Sequence, residues 1–544
     1  MWPWIKKFLN GESKTITSAA VVLGGAALAS RIVGLVRDRV LAGTFGASQD
    51  LDIYFAAFRI PDFVYNLLVL GALSAGFIPI FTEALIGKDK KPRSEAWRIA
   101  NGVLVMLVGS LAVLLVIVWI FAPWIVPYIA PGFGRAALEE TIVLTRIMFL
   151  SPIFLGISAV IGGILQSFKR FLVFSLGPIF YNIGIIFGAV VLVPLWGLRG
   201  LAWGVVLGAF LHLVIQLPAV RDLGYKFEWV WAPKDNFIRE IMRLMLPRTM
   251  GLAVTQLNLV AMTIIASTLA EGSISILNLA NNIQGVAIGI IGISFAVAAF
   301  PLLSEAVAEN NIKKLVDHCS FTTRQILLFI IPATILLLLL RAQIVRVIFG
   351  SGEFSWNDTI LTADTLAFFT LSLFVQSLLP LLTRIFYAFK DTVTPFVIGL
   401  FSVAMNIAFA LWLIEPLGVR GLALAFTASS VANLVLLWTT LRVKLGHVDG
   451  LKILHAAYKM ITAALAMAVV IQVLKMPLAY VLNLDTLVGI FLQGFISGVF
   501  GLAVYISIGI LLKSEEITTF VSSMRRKLFK RYEPSEGADE ASGT

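Results

Sequence analysis

Charge, sulfur and imidazole are all scarce in this chain. Only 13% of its 544 residues are Asp, Glu, Lys or Arg, where an ordinary soluble domain carries about 25%. A single cysteine, Cys319, excludes a disulfide framework and a thiolate metal cluster, since each needs several sulfurs in one place. The four histidines, His212, His318, His447 and His455, are scattered, with no HExxH and no carboxylates at ligand spacing. GxxxxGK(S/T) is also missing, so no P-loop is present and no ATP chemistry follows from this chain. No metal or other cofactor is expected. Alternating strand segments of about ten residues, the mark of a membrane barrel, do not occur either. What is abundant is apolar residues: 59% are hydrophobic, and the mean hydropathy is +0.94. That composition excludes a soluble globular protein and reads as a membrane protein.

At about 20 apolar residues per bilayer crossing, the apolar stretches between residues 16 and 512 read as about fourteen helices. The fold class expected is an all-α polytopic membrane protein. The excess of cations, 42 Lys and Arg against 31 Asp and Glu, raises nucleic acid as a partner. Their placement gives a different answer. With the N-terminus in the cytoplasm, 31 of the 42 fall on alternate, cytoplasmic loops, which is the positive-inside pattern. Both termini are then cytoplasmic, and nucleic acid is not needed. The expected organisation is an amphipathic segment over 1–15, rich in Trp and Lys and not a cleavable signal; six helices over 16–218; a cytoplasmic linker over 219–247; six helices over 248–441; two further helices over 442–512; and a basic, then acidic, tail over 513–544, disordered at its end.

The two six-helix stretches carry an internal repeat. Gly197-Leu-Arg-Gly-Leu-Ala returns as Gly418-Val-Arg-Gly-Leu-Ala, each after a proline, Pro194 or Pro416. Phe168-Lys169 returns as Phe389-Lys390, and the segment Pro79–Ala84 returns at 301–306, one residue off that register. Three matches in order at about one spacing argue for duplication. An even number of helices per copy makes the copies parallel, related by an axis along the membrane normal.

The anomaly is the charge in the first two helices: Arg31, Arg37, Asp38 and Arg39, then Asp50, Asp52, Arg59 and Asp62. An ionisable residue inside a membrane helix costs about 2.5–3.5 kcal/mol on insertion scales, so it faces a partner or a wet cavity. Arg37 and Arg39, near a helix end, read equally well as snorkelling anchors. Arg31 is about six residues deeper and about 120° round an ideal helix from Arg37, so both line one cavity only if its wall wraps round them or the helix bends near Gly34. Arg59 and Asp62 are three apart around Pro61, a spacing that allows an ion pair. Guanidinium forks suit phosphate, and a basic, wet cavity suits an anionic or diphosphate-bearing substrate. The eighth helix places Asn278, Asn281, Asn282, Gly285 and Gly289 near one face. These read either as a neutral cavity wall or as helix-packing amides. Asn182 and Asn406 occupy nearly equivalent repeat positions and have the same two readings.

Five stretches together resemble the MurJ (MviN) lipid II flippases of the MOP exporter superfamily: SRIVGLVRD at 30–38, the region at 52–63 ending in FAAFRIPDF, APGF at 130–133, GGILQSFKRF at 162–171 and RIFYAFKDTVTP at 384–395. The resemblance spans roughly residues 16 to 512. It implies fourteen helices in two lobes, a central cationic cavity and a groove beside the last two helices for a lipid tail. The substrate it implies is lipid II, an undecaprenyl-diphosphate-linked disaccharide pentapeptide, flipped from the inner to the outer leaflet of the bacterial cytoplasmic membrane by alternating access. By motif position it makes Arg31, Arg37, Asp38 and Asp52 the cavity charges. Arg59, Asp62 and Asn282 complete the expected substrate-binding set. This chain departs from the family pattern at Tyr65 and Asn66 and at Asn282, where further arginines are expected, and at Leu70 and Gly285, where acids are. Arg59 and Arg39 are the cations available in their place. No carboxylates in the seventh or eleventh helix support a sodium site.

The reading is therefore a transporter and not an enzyme: a lipid II flippase, monomeric, surrounded by membrane lipids and working beside cell-wall synthesis proteins. The alternatives are an exporter of another polyprenyl-diphosphate-linked glycan, and a pseudo-transporter that scaffolds a cell-wall complex. A membrane glycosyltransferase ranks below these, since the interleaved arginines lower the pKa values of Asp38, Asp52 and Asp62 instead of holding an acid protonated.

Overall fold

The computed structural model of the chain describes residues 16–70, 76–86, 92–232 and 234–529. Among the described residues the regular structure is helical throughout, without a strand. Eleven helices are long and apolar enough to cross a bilayer, or up to twelve if the pair Trp356–Thr370 and Leu373–Ala388, bent by 47°, forms one span. The expected fourteen included two helices outside that count, Ile16–Phe45 and Gln49–Val64. They are the two that carry the eight charges of the anomalous cluster, and Gln49–Val64, at 16 residues, is also shorter than the about 20 that a crossing needs. The amphipathic segment over 1–15, the lysines of 87–91 and the tail beyond 529 lie outside the described residues.

Apolarity does not decide which face of these helices packs; shape does. In Pro92–Ile129, Leu111, Val118, Ala122 and Val126 are buried, while Val116, Trp119, Phe121 and Trp124 are exposed. Turning so many large apolar groups outward is untenable in water and costs nothing in lipid. Small residues set the closest approach. Gly184 and Gly188 meet Gly208 and Gly204 of the following helix, so that a Cβ on Gly184 would stand 2.2 Å from the Gly208 Cα.

The chain packs as two compact units. The first is Met1–Ile283 with Ile348–Phe369 and Thr392–Asn433, and the second is Gln284–Val347 with Thr370–Asp391 and Leu434–Thr544. This division follows a different line from the repeat boundary between 218 and 248. Within the second unit, Arg324 holds Glu516 at 2.5 Å, and Phe520 packs edge-on against Phe329. Together they fasten the helix Glu515–Phe529. The C-terminal carbonyls of Ile312–Leu339 are capped by two cations, Arg341 on Leu338 O and Lys475 on Leu339 O, both at 3.0 Å. That arrangement suits the negative end of a helix.

The repeat recurs in local conformation. Gly197 and Gly418 share φ values of 60° and 57°, and each is followed by an arginine paired with an acid, Arg199 with Glu140 at 3.1 Å and Arg420 with Asp364 at 3.3 Å. Lys169 and Lys390 both have φ 59°. A π-helical segment follows the second helix at Tyr65–Leu70 and the eighth at Ile288–Ile293.

Candidate functional site

Three side chains on one helix organise the charges of the first two. Ser275, Asn278 and Asn282 lie on Ser273–Ala287 at spacings of three and four, which stacks them along one face. Each engages a different charge.

At the top of the stripe, Asp52 is 3% exposed. Its Oδ1 accepts from the backbone N–H of Ser275 at 2.7 Å and from Ser275 Oγ at 2.6 Å, and its Oδ2 accepts from the N–H of Gly272 at 2.7 Å. These are orphan donors at a helix N-terminus, which a carboxylate satisfies best. Asp52 thus caps the helix from another segment of the chain. Gly272 is required there: its φ is +85°, and a Cβ would stand 2.1 Å from Ala47 O.

One turn further on, Arg59 donates from Nε to Thr263 Oγ1 at 2.7 Å and from Nη2 to Asn278 Oδ1 at 2.5 Å. Asn278 is itself fixed by its Nδ2 on Ile274 O, at 2.6 Å. The spacing of Arg59 and Asp62 allowed an ion pair, yet the hydrogen bonds of each go elsewhere. Asp62 accepts from Asn66 Nδ2 at 3.0 Å, and that same group bonds Asp62 O at 2.8 Å. Pro61 lies inside this helix.

At the foot of the stripe, Asp38 is 2% exposed and bridges two partners. Its Oδ2 accepts from Asn282 Nδ2 at 2.9 Å, and its Oδ1 accepts from Arg37 Nη2 at 2.6 Å and Nε at 3.0 Å. Arg37 Nη1 reaches Asn182 Oδ1 at 3.0 Å. The first helix runs unbroken through Gly34, so Arg31, half-buried one turn and a half earlier, sits on a different face from Arg37. Arg39 donates to Ile348 O at 3.1 Å and belongs to another contact. The structure therefore joins Arg37, Asp38, Asp52 and Arg59 through a single neutral helix, bonds Asp62 to Asn66 of the π-helical segment that follows, and puts Arg31 on a different face of its helix from Arg37.

Beside Arg59 is a cavity of about 220 Å³. Its polar wall is Arg59, Thr255, Asn258, Thr263, Asn278 and Asn281; its apolar wall includes Met262, Leu277, Phe369, Leu422 and Phe426. The contributions of Thr255, Asn258 and Thr263 were missed in the sequence. A signal existed: Gln256 and Asn258 are amides inside an apolar run, and both prove buried. Of the two amides at nearly equivalent repeat positions, Asn182 serves Arg37, while Asn406 donates to Asn258 Oδ1 at 2.6 Å.

Buried charges inside a bundle with eleven or twelve helices long and apolar enough to cross a bilayer, organised by neutral hydrogen-bonding groups next to a cavity, fit a helical membrane transporter. Solved structures agree on the fold. A protein titled "Lipid II flippase MurJ, inward closed conformation" superposes with a TM-score of 0.75 at 24% identity, covering 91% of this chain and 100% of that one. An inward-facing multidrug resistance MATE family transporter of the MOP superfamily gives 0.65 at 15% identity, over 79% of this chain and 99% of that one. The family model described as "Lipid II flippase MurJ" matches residues 41–491. Among curated relatives, the probable lipid II flippase MurJ of Rickettsia prowazekii (strain Madrid E) is 30% identical over 466 residues, 85% of this chain and 90% of that protein. That of Rhizobium meliloti (strain 1021) is 29% identical over 535 residues, 95% and 98% of the two. The chain belongs to the MurJ family, a family of multi-pass membrane transporters and not of enzymes.

Proposed function

We propose that this chain carries lipid II, a polyprenyl-diphosphate-linked disaccharide pentapeptide, from the inner to the outer leaflet of the bacterial cytoplasmic membrane by alternating access. The observation that carries the reading, beside family membership, is the pair of guanidinium groups tied to one helix. Arg59 bonds Asn278, and Arg37 reaches Asn282 through Asp38. Positions four apart stand about 6 Å from each other along the axis. Both arginines are held before any substrate arrives, so little rotamer freedom is lost when a diphosphate binds. Arg31, Arg37 and Arg59 bind the anion, Asp38 orients Arg37, and Asp52 fixes the helix that presents Asn278 and Asn282. Asp62 shapes the turn below Arg59. In this reading the protein works as a monomer among membrane lipids, beside cell-wall synthesis proteins. The lobes are 16–218 and 248–441, and 442–512 is an appended helical pair.

A bacterium depleted of its own lipid II flippase tests this. The wild-type chain is expected to restore growth and lipid II export, and Arg31→Ala to lose export at normal abundance. A charge-assisted contact is worth about 1.5–3 kcal/mol, and Arg31→Lys should rescue only in part, since it lacks the planar fork. Normal export by Arg31→Ala would reduce this residue to an anchor. Both termini are placed in the cytoplasm. In a Cys319→Ser background, a thiol at position 90 should be protected from an external reagent and one at position 135 labelled; the reverse pattern would invert the direction of transport.

One observation favours a second reading, an exporter of another polyprenyl-diphosphate glycan. Asn282 stands where the resemblance places an arginine, and its amide is already committed to Asp38. Failure of the wild-type chain to complement, with success on a strain lacking a different glycan exporter, would select that alternative.

A further inference from the structure

The cavity beside Arg59 does not have the chemistry of a diphosphate site. Of the three arginines assigned to the anion, one, Arg59, lines it. A diphosphate carries several charges and calls for several cations. No carboxylate lines the cavity, so it is not built for a cation either. What lines it is neutral. Three asparagines, Asn258, Asn278 and Asn281, line it; Asn278 is bonded at both ends, to Arg59 and to Ile274 O, and Asn258, 9% exposed, accepts from Asn406 on its Oδ1, which leaves its Nδ2 to donate. Two aromatic residues share the lining, and Phe369 and Phe426 meet edge to face at 5.6 Å and 77°. Aromatic faces carry negative quadrupole charge and attract the polarised C–H bonds of a pyranose. An amide donor and aromatic rings lining one neutral cavity suit a sugar. At about 220 Å³ the cavity is of a size for one ring and not for a five-residue peptide.

We propose that this cavity is a subsite for one uncharged pyranose ring bearing an acetamido group. The acetamido exchanges hydrogen bonds with the asparagine amides, its methyl packs against the apolar wall, and the ring lies on Phe369 and Phe426. The inference rests on the reading of a polyprenyl-diphosphate substrate above and deepens it: the arginines hold the diphosphate, and this cavity tells a sugar-bearing lipid from a bare one. Thr255 is exposed and marks the open side.

Binding of two probes to the purified full-length chain in lipid nanodiscs tests it: undecaprenyl diphosphate, and undecaprenyl diphosphate carrying a single N-acetylglucosamine. The wild-type chain is expected to bind the sugar-bearing probe about tenfold tighter or more, and Asn258→Leu and Phe426→Ala to remove most of that ratio. Where those variants fold poorly, a Thr255→Cys, Cys319→Ser chain gives an independent readout. Its thiol labelling should slow several-fold with the sugar-bearing probe and not with the bare one. Equal binding of both probes by the wild-type chain, or equal protection of the thiol by both, overturns the subsite and leaves the transport reading standing. Binding of neither probe overturns the transport reading and the subsite with it.

Discussion

Residues 49–70 and 272–293, which the expected internal repeat sets in near correspondence, follow the same course. Both run as a helix into a π-helical segment, Tyr65–Leu70 in one and Ile288–Ile293 in the other, 223 residues apart at both bounds. At that spacing Asp52 falls on Ser275, Arg59 on Asn282 and Asp62 on Gly285. The first copy is charged and the second is neutral at all three. The difference has a physical reason in the contacts. Asp52 accepts from Ser275, its own counterpart, and Asp38 and Arg59 are bonded by asparagines of the second copy. Had both copies kept the acid, two carboxylates would face each other at hydrogen-bond distance, and one would have to take up a proton. A neutral partner satisfies a buried charge without cancelling it. In the proposed reading the labour is divided: the first of the two segments bears charge for an anionic substrate, and the second positions it.

The largest expected effect comes from breaking that division at its best-satisfied point. Asp52→Ala leaves three buried donors without an acceptor, each at about 1–3 kcal/mol, a large part of a typical folding stability. Folded yield in membranes should collapse, and Ser275→Ala, which removes only one of the donors, should lower the melting temperature modestly. Normal yield for Asp52→Ala with export lost would instead make Asp52 a substrate contact.

Next in size is Asn282→Asp, which makes the second copy acidic beside Asp38. The buried Asp38 loses a donor and faces a like charge, at a cost of about 1–3 kcal/mol. The sign of the pH dependence follows. Protonation lets the new carboxyl donate as the amide did, so the variant should be stabilised as pH falls, and its melting temperature should rise relative to wild type between neutral and mildly acidic conditions. A constant gap across that range would mean that water or another donor serves Asp38.

Much of this was legible because membrane helices advertise themselves by apolar length, and because the charges that break the pattern stand out against it. Arg37, Asp38, Asp52 and Arg59 were found that way, and the amide-bearing helix by its spacing of three and four. The roles were less legible. Nothing local to Asp52 says that it caps a helix 220 residues later, since capping across the fold depends on the path of the chain. The helix count came near, at eleven or twelve against about fourteen, because Gln49–Val64 is only 16 residues long. Asn258 and Phe426 were passed over because each is ordinary in a membrane helix until a cavity gathers them.

A smaller effect tests whether the copies remain equivalent where they carry no charge. Gly197 and Gly418 have φ 60°, ψ −149° and φ 57°, ψ −136°, a region almost closed to other residues. Gly197→Ala and Gly418→Ala should each cost about 1–3 kcal/mol, and the two losses of melting temperature should agree closely. A marked inequality would show that the turns have taken on different duties.

The smallest effect is expected at the lysines, and it has the opposite sign. Lys169 closes the helix Ser151–Ser167, and Lys390 the helix Leu373–Ala388. In each, the lysine N–H bonds three residues back, to Gln166 O or Tyr387 O, and the next N–H bonds five back, from Arg170 to Leu165 O or from Asp391 to Phe386 O. This is the Schellman pattern, whose left-handed residue is usually glycine. Lysine there bears strain of about 1–2 kcal/mol, and a glycine in its place loses more freedom on folding, so the two terms largely offset. Lys169→Gly and Lys390→Gly should therefore each stabilise by about 1 kcal/mol or less, visible as a small, matched rise in melting temperature. Strain kept at both sites has an electrostatic counterpart: a cation at a helix C-terminus is favourable, and in a cytoplasmic loop it also helps set orientation. If Lys169→Gly raises the melting temperature while membrane insertion falls, the lysine is held for topology; if insertion is unchanged and the melting temperature drops, the helix-end charge outweighs the backbone strain.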